Sequence, residues 1–336
     1  MWGFISIFRD YKRAVLALMA LSVAVLYGAA VADPVDRPER AVRSWVALPQ
    51  VTPEFEVLPP DVPVAPQLEV TSVNDLHHAL EALGFGLKPV RRGNVRVPRL
   101  FVGNLPADFD ATMVVAERKQ AFIRMVLPLI LKANEDVLTE RRRLIDLEGR
   151  VSSGLEISES AHAWLEALAE KYRAAPNDFV TLLRRVDAVS PTLALAQSIE
   201  ESGWGRSRFA SEGNALYGQR VWSQGGGFVP AERGESETFE VRAFGSLLES
   251  VQSYVVNLNR HYAYEDYRAM RALMRAHDTE LDGLRLATTL ANYSERRGAY
   301  VDALSGLIVS NRLDQFEDVQ LSNAPIDPAD TRLAAR

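Results

Sequence analysis

Between Ser190 and Gly205 the chain reads Ser-Pro-Thr-Leu-Ala-Leu-Ala-Gln-Ser-Ile-Glu-Glu-Ser-Gly-Trp-Gly, a short helix with both ends written into the sequence. Ser190 suits the N-cap and Pro191 the first helical position, where no backbone N–H is needed. Leu195, Ala196 and Ile199 fall on one face. Gly203 and Gly205 stop the helix at once. Glu200 and Glu201 sit at its C-terminal end, where the helix dipole disfavours negative charge. Trp204 follows directly. A carboxyl group beside a helix C-terminus and an indole is expected to hold its proton unusually well, as a general acid near neutral pH must. Adjacent helical residues point about 100° apart, so one of the two acids faces a cleft and the other does not. Glu200 is expected in solvent or paired with a basic group.

The rest of the chain frames this helix. Arg9, Lys12 and Arg13 precede an uncharged apolar run from Ala14 to Ala32, the pattern of an export signal. Ala30-Val31-Ala32 fits a small-x-small cleavage site, and the run is also just long enough to span a bilayer. Either way the remainder is expected outside the cytoplasm, periplasmic or held at the inner membrane by residues 14–32. Eight prolines between Asp33 and Leu68 make the next stretch an extended tether.

A short helix is expected over Val73–Leu83, and an extended arm or strand over Val95–Phe101. A helical stripe starts near Ala111 and is expected to kink or break at Pro128. Further helices are expected over Ala161–Tyr172 and Phe179–Val186. Gln219–Phe244, rich in glycine and short alternations, reads as a β-hairpin lobe. Ser246-Leu-Leu-Glu249 is a capping box that opens another helix. Helices follow near Asp266–Ala276, Leu281–Ala291 and Tyr300–Leu313, and the polar tail beyond Asp318 is expected to be loose. This gives a leader (1–32), a linker (33–70), a helical extension (71–150), a main domain (151–318) and a tail (319–336).

Several function classes drop out. A net charge of −6 argues against a nucleic-acid binder. The absence of cysteine excludes disulfides, thiol catalysis and Cys-ligated zinc. His77 and His78 face different ways on a helix, and His162, His261 and His277 have no ligand-like spacing, so no metal or other cofactor is expected. Gly225-Gly226-Gly227 reads as a loop. Arg141-Arg142-Arg143 reads as a solvated helix face, with anionic cell wall or lipid as a lesser alternative.

Ser-Gly-Trp-Gly-Arg-Ser, followed by Asn214-Ala-Leu-Tyr-Gly218, resembles the signature of the bacterial glucosaminidase superfamily, glycoside hydrolase family 73 and its relatives. Ala215 and Tyr217 depart mildly from that pattern. Val97-Pro98-Arg99, Pro106-Ala-Asp108, Arg118-Lys119, Leu127-Pro128 and Asn134-Glu135 upstream, and Tyr293-Ser294, Gly298, Tyr300 and Asn311-Arg312-Leu313 downstream, are similar in order to the Bax-like subgroup. The resemblance covers about Val95 to Leu313. It implies a mainly α, lysozyme-like (α+β) fold with a small hairpin lobe. It also implies cleavage of peptidoglycan glycan strands, with Glu201 as general acid.

The resemblance further implies a second acid in the hairpin lobe, where Glu232, Glu235, Glu237 and Glu240 stand. Glu240 and Glu232 are the candidates, and assistance by the substrate's own N-acetyl group would lessen the need for either. Tyr293 matches the family's active-site tyrosine. Asn214, Tyr217, Trp222 and Trp204 are candidates for sugar contact, Trp204 being better suited to pack beneath the Glu201 loop. Two other readings fit the same residues: a glycan-binding envelope protein that does not cut, and a lytic transglycosylase.

Overall fold

The helix announced at Ser190 forms over Pro191–Ser202 and becomes the spine around which the other helices pack. The computed structural model describes residues 67–110, 114–221, 227–229, 240–291, 293–294 and 296–323. The leader and most of the tether lie outside them, as do Trp222 and Glu232. In chain order the described helices are α1 (Val73–Ala82), α2 (Leu87–Arg91), α3 (Val115–Ser152), α4 (Glu159–Tyr172), α5 (Phe179–Arg185) and α6 (Pro191–Ser202). They continue with α7 (Arg208–Gly213), α8 (Leu247–Arg260), α9 (Glu265–Ala276), α10 (Gly283–Ala287) and α11 (Gly298–Asn311). Short 3-10 turns cover Tyr262–Tyr264, Thr288–Leu290 and Leu313–Phe316. The fold is mainly α with a small β lobe, as the motifs imply.

Helix α6 differs from the one-faced helix expected. It is buried almost all round, touching α3, α10, α11 and the 313–316 turn. A helix buried on every side is normally apolar on every side. Here Thr192, Ser198 and Ser202 are buried too, and their hydroxyls bond to Leu313 O, Leu195 O and Ser198 O. Short polar side chains whose hydroxyls find carbonyl partners disguise a central helix as an amphipathic one.

Pro128 neither breaks nor ends α3, which runs unbroken through 38 residues, about 57 Å. Proline inside a helix costs about 3 kcal/mol through one lost hydrogen bond and a ring clash. Against that stand Phe122, Met125, Val126, Leu127, Leu129 and Ile130, all buried, each contributing roughly 1.5–3 kcal/mol by leaving water. Burial wins. Helix α3 packs on both α6 and α8, so the leading segment and the rest share one core.

The β lobe has three short antiparallel strands, β1 (Arg220–Val221), β2 (Gly227–Phe228) and β3 (Glu240–Arg242), with β3 central. Its register pairs Arg220 with Val241 and Phe228 with Val241. Residues 95–101 form an arm, not a strand, with isolated parallel bridges joining Leu68 to Val102 and Val97 to Leu321. The second bridge corrects the expectation of a loose tail for residues 319–323. Ser322 N–H donates to Val97 O at 2.7 Å, and Arg99, paired with Glu135 at 2.6 Å, also reaches Ser322 O.

The reading of Arg141 as part of a solvated face is corrected as well, while Arg143 is exposed as expected. Arg141 donates to the carbonyls of Leu183 and Val186 and faces Asp187 in a polar knot with Arg271 and Arg275. Arg143 lies over the Trp164 ring.

Candidate active site

The last turn of α6 places Glu200 and Glu201. Ser190 Oγ caps the helix by accepting Leu193 N–H at 3.1 Å. Asn134 of α3 fixes its approach, since its side-chain amide exchanges two hydrogen bonds with the Val189 backbone. At the other end Gly203 and Trp204 both take left-handed backbone, with φ of 58° and 63°, and turn the chain away sharply. Glycine adopts this freely, whereas a tryptophan there must be held by its surroundings. Phe122 meets the Trp204 ring edge-on at 5.9 Å, and the Lys119 ammonium sits over it at 4.7 Å. Trp204 is thus a wedge against α3.

The two acids separate as expected. Glu200 accepts from Arg296 Nη2 at 2.5 Å. Glu201 turns inward, where burial pushes its carboxyl up to about 7. A hydrogen bond with the Tyr300 hydroxyl opposes the shift, the Glu200 charge adds to it, and Arg296 and Arg220 work against it. Tyr264, Tyr293 and Tyr300 all feel the Glu201 charge. Their rings form a row, Tyr264 to Tyr293 at 5.6 Å and Tyr293 to Tyr300 at 5.6 Å and nearly parallel. Burial lifts all three phenols, Tyr264 to about 12, so they stay protonated. A carboxyl group half protonated near neutral pH inside a wall of neutral hydroxyls can release a proton to a bound acceptor and recover it.

Residues 177–313, which contain this arrangement, match the glucosaminidase family model, described as mannosyl-glycoprotein endo-beta-N-acetylglucosaminidase. Protein bax of Escherichia coli (strain K12) is 31% identical over 202 residues, covering 58% of this chain and 70% of that protein. This chain belongs to the Bax-like group of the glucosaminidase superfamily. No solved structure matches it.

The Bax-like chain distributes the other sequence candidates unevenly. Tyr293 stands beside Glu201, but its hydroxyl donates to Tyr217 O at 3.1 Å. The Tyr217 ring is 1% exposed and stacked on Tyr254 at 3.8 Å, so that face is taken. Asn214 ends α7 in a left-handed turn and donates to Phe244 O, tying the helix to the exit of β3. Glu240 is 7% exposed, and its Oε2 accepts Gly227 N–H at 2.9 Å.

Sequence reasoning missed two residues of the Bax-like site. Tyr300 faces Glu201 directly, and Gln197 donates from Nε2 to the Tyr300 hydroxyl at 2.9 Å. The signal for Gln197 was present: it lies four residues before Glu201, one turn back on the same helix face. No group of three or more His, Asp or Glu among the described residues is placed to hold a metal.

Proposed function

We propose that this protein is an exported peptidoglycan hydrolase of the N-acetylglucosaminidase type, with Glu201 as general acid. The family is one of glycan hydrolases. The observation that carries the reading further is the burial of Glu201 among tyrosines, with its carboxyl held near 7 while Arg296 takes the charge of Glu200. Protonating the leaving glycosidic oxygen is the step such a carboxyl performs, and the sugar then passes through an oxocarbenium-like state. The neutral, electron-rich phenols of Tyr293 and Tyr300 flank that developing positive charge. Glu240 is the proposed second carboxylate, with the substrate's N-acetyl group as the alternative partner. Trp222, Glu232 and Asn214 are proposed sugar contacts, whereas Trp204 and Tyr217, packed against Phe122 and Tyr254, serve the frame of the site. The apolar run 14–32 supports export, with the substrate met in the periplasm.

Digestion of purified sacculi tests the reading. Wild-type protein is expected to release fragments with new reducing N-acetylglucosamine ends, and Glu201→Gln to release none while melting like wild type. Anhydro-sugar ends would instead identify a transglycosylase. Tight binding without release by the wild type would leave a glycan-binding protein.

A further inference from the structure

Three fully buried side chains connect the core to the proposed acid. Tyr254 of α8 donates its hydroxyl hydrogen to Gln197 Oε1 at 2.6 Å. Gln197 Nε2 donates to the Tyr300 hydroxyl at 2.9 Å. Tyr300 in turn faces Glu201, whose charge helps to raise its phenol. All three side chains are essentially inaccessible to water.

We propose that Tyr254 and Gln197 are positioning residues that aim the Tyr300 hydroxyl at Glu201 and so dictate which carboxyl oxygen carries the acid's proton. The inference rests on the reading of Glu201 as the acid. Its logic is a count of hydrogens. A phenol has one hydrogen to give. Tyr300 already accepts the Gln197 N–H, so its own hydrogen is free to point at Glu201. The oxygen that accepts it cannot also present a proton along the same line. The Glu201 proton therefore sits on the other oxygen. Once that proton leaves, the Tyr300 hydrogen is already aimed at the new carboxylate.

The direction of the chain is fixed from its far end. If the Gln197 amide turned over, Oε1 would face Tyr300 and draw its hydrogen away from Glu201. Tyr254 would then face an N–H and lose the acceptor it has, an expensive loss inside a core. The Tyr254 ring cannot easily move to compensate, because Tyr217 lies flat on it, 8° from parallel. Neither phenol in the chain ionises in the working range, since burial raises both. Among the described residues, the charged and titratable groups facing Glu201 are Glu200 on its own helix, Arg296 from the turn before α11, Arg220 of β1, and the phenols of Tyr264, Tyr293 and Tyr300. Gln197 is the neutral link among them.

The test reads Glu201 itself. Glutamate side chains of the full-length protein are labelled with carboxyl carbon-13, and the Glu201 resonance is assigned by its loss in Glu201→Gln. Tyr254→Phe and Gln197→Met are each expected to raise its titration midpoint by roughly one pH unit, because the carboxylate loses an oriented donor. Ser198→Ala, beside Gln197 and outside the chain, is expected to leave it unmoved. On sacculi both variants are expected to lose about tenfold in kcat with little change in KM, and the alkaline limb is expected to follow the resonance upward. An unchanged midpoint in folded Tyr254→Phe overturns the proposal, and this variant decides alone if Gln197→Met does not fold. The resonance reports on the chain even if no sacculus is cut, whereas wild type that cuts nothing, or active Glu201→Gln, overturns the acid and not the chain.

Discussion

Glu200 and Glu201 are neighbours in sequence and opposites in setting: the first is bound to Arg296 at 2.5 Å, and the second is turned into a row of tyrosines. The Glu200 charge raises the Glu201 carboxyl and the Arg296 charge lowers it. The Glu200–Arg296 pair therefore adjusts the acid without touching it. An acid must be protonated to work, so activity is expected to fall as pH rises through about 7. Glu200→Gln removes a neighbouring negative charge and leaves Arg296 unpaired, which moves the limb to lower pH. Arg296→Met moves it to higher pH. Each shift is expected to be roughly half a unit to one unit, and pH–rate profiles of the three proteins on sacculi check the opposite signs.

Gly218 stands where backbone and acid meet. Its φ is 59°, and a Cβ at this position would lie 3.3 Å from Glu201 Oε2. Gly218→Ala is therefore expected to do two things. Left-handed backbone costs an alanine about 1–2 kcal/mol, and the new methyl presses on the carboxyl group. Activity is expected to fall at least tenfold while the melting temperature drops by only a few degrees. Calorimetry beside a turnover assay separates the two effects, and a normal rate with lowered stability would show that the Glu201 oxygen has room to spare.

The helix that bears the acid was legible because its signals are local. A serine cap, a proline at the first position and a glycine stop act within a few residues, and all three operate in the structure. The surroundings of Glu201 were less so. Tyr254 and Tyr300 come from α8 and from the start of α11, and nothing in sequence spacing brings them to Gln197. Pro128 misled because a local penalty was weighed without the tertiary burial that outweighs it. Arg141 misled because its partners, the Leu183 and Val186 carbonyls and Asp187, lie more than 40 residues away. The tail misled likewise, since residues 319–323 look polar and free until Val97 and Arg99 meet them.

Glu240 tests whether a buried carboxylate in the lobe is chemical or architectural. Its Oε2 receives the Gly227 N–H and so helps hold β2 against β3. Glu240→Gln keeps an acceptor oxygen for that bond and loses the charge. Glu240→Ala loses both. If Glu240 supplies the second carboxylate, the Gln variant is expected to fold and melt as wild type while losing at least a hundredfold in kcat. The Ala variant would add a destabilisation of about 1–3 kcal/mol from the unpaired N–H. Normal turnover by Glu240→Gln, measured with soluble glycan fragments, would assign the residue to the sheet alone.

Glu317 gives a pH dependence of stability with a definite sign. Burial pushes its carboxyl up to about 7, although Ser190 Oγ donates to one of its oxygens at 2.7 Å. The other oxygen is buried with no hydrogen-bond partner among the described residues. The folded chain therefore holds this proton up to about 7, whereas the unfolded chain releases it near 4.5. Between those values the native state binds more protons, and stability falls as pH rises. The contribution is whole below the unfolded value and gone above the folded one. Glu201 has the same sign over the same window. Glu317→Gln removes one of these two ionisations, so its melting temperature is expected to decline less steeply than that of wild type. At pH 8 the variant should be the more stable by on the order of 1–3 kcal/mol, and at pH 4.5 the two should be about equal. Denaturant melts at both pH values check this, and a variant less stable than wild type at pH 8 would mean that the Glu317 carboxylate is stabilised where it sits.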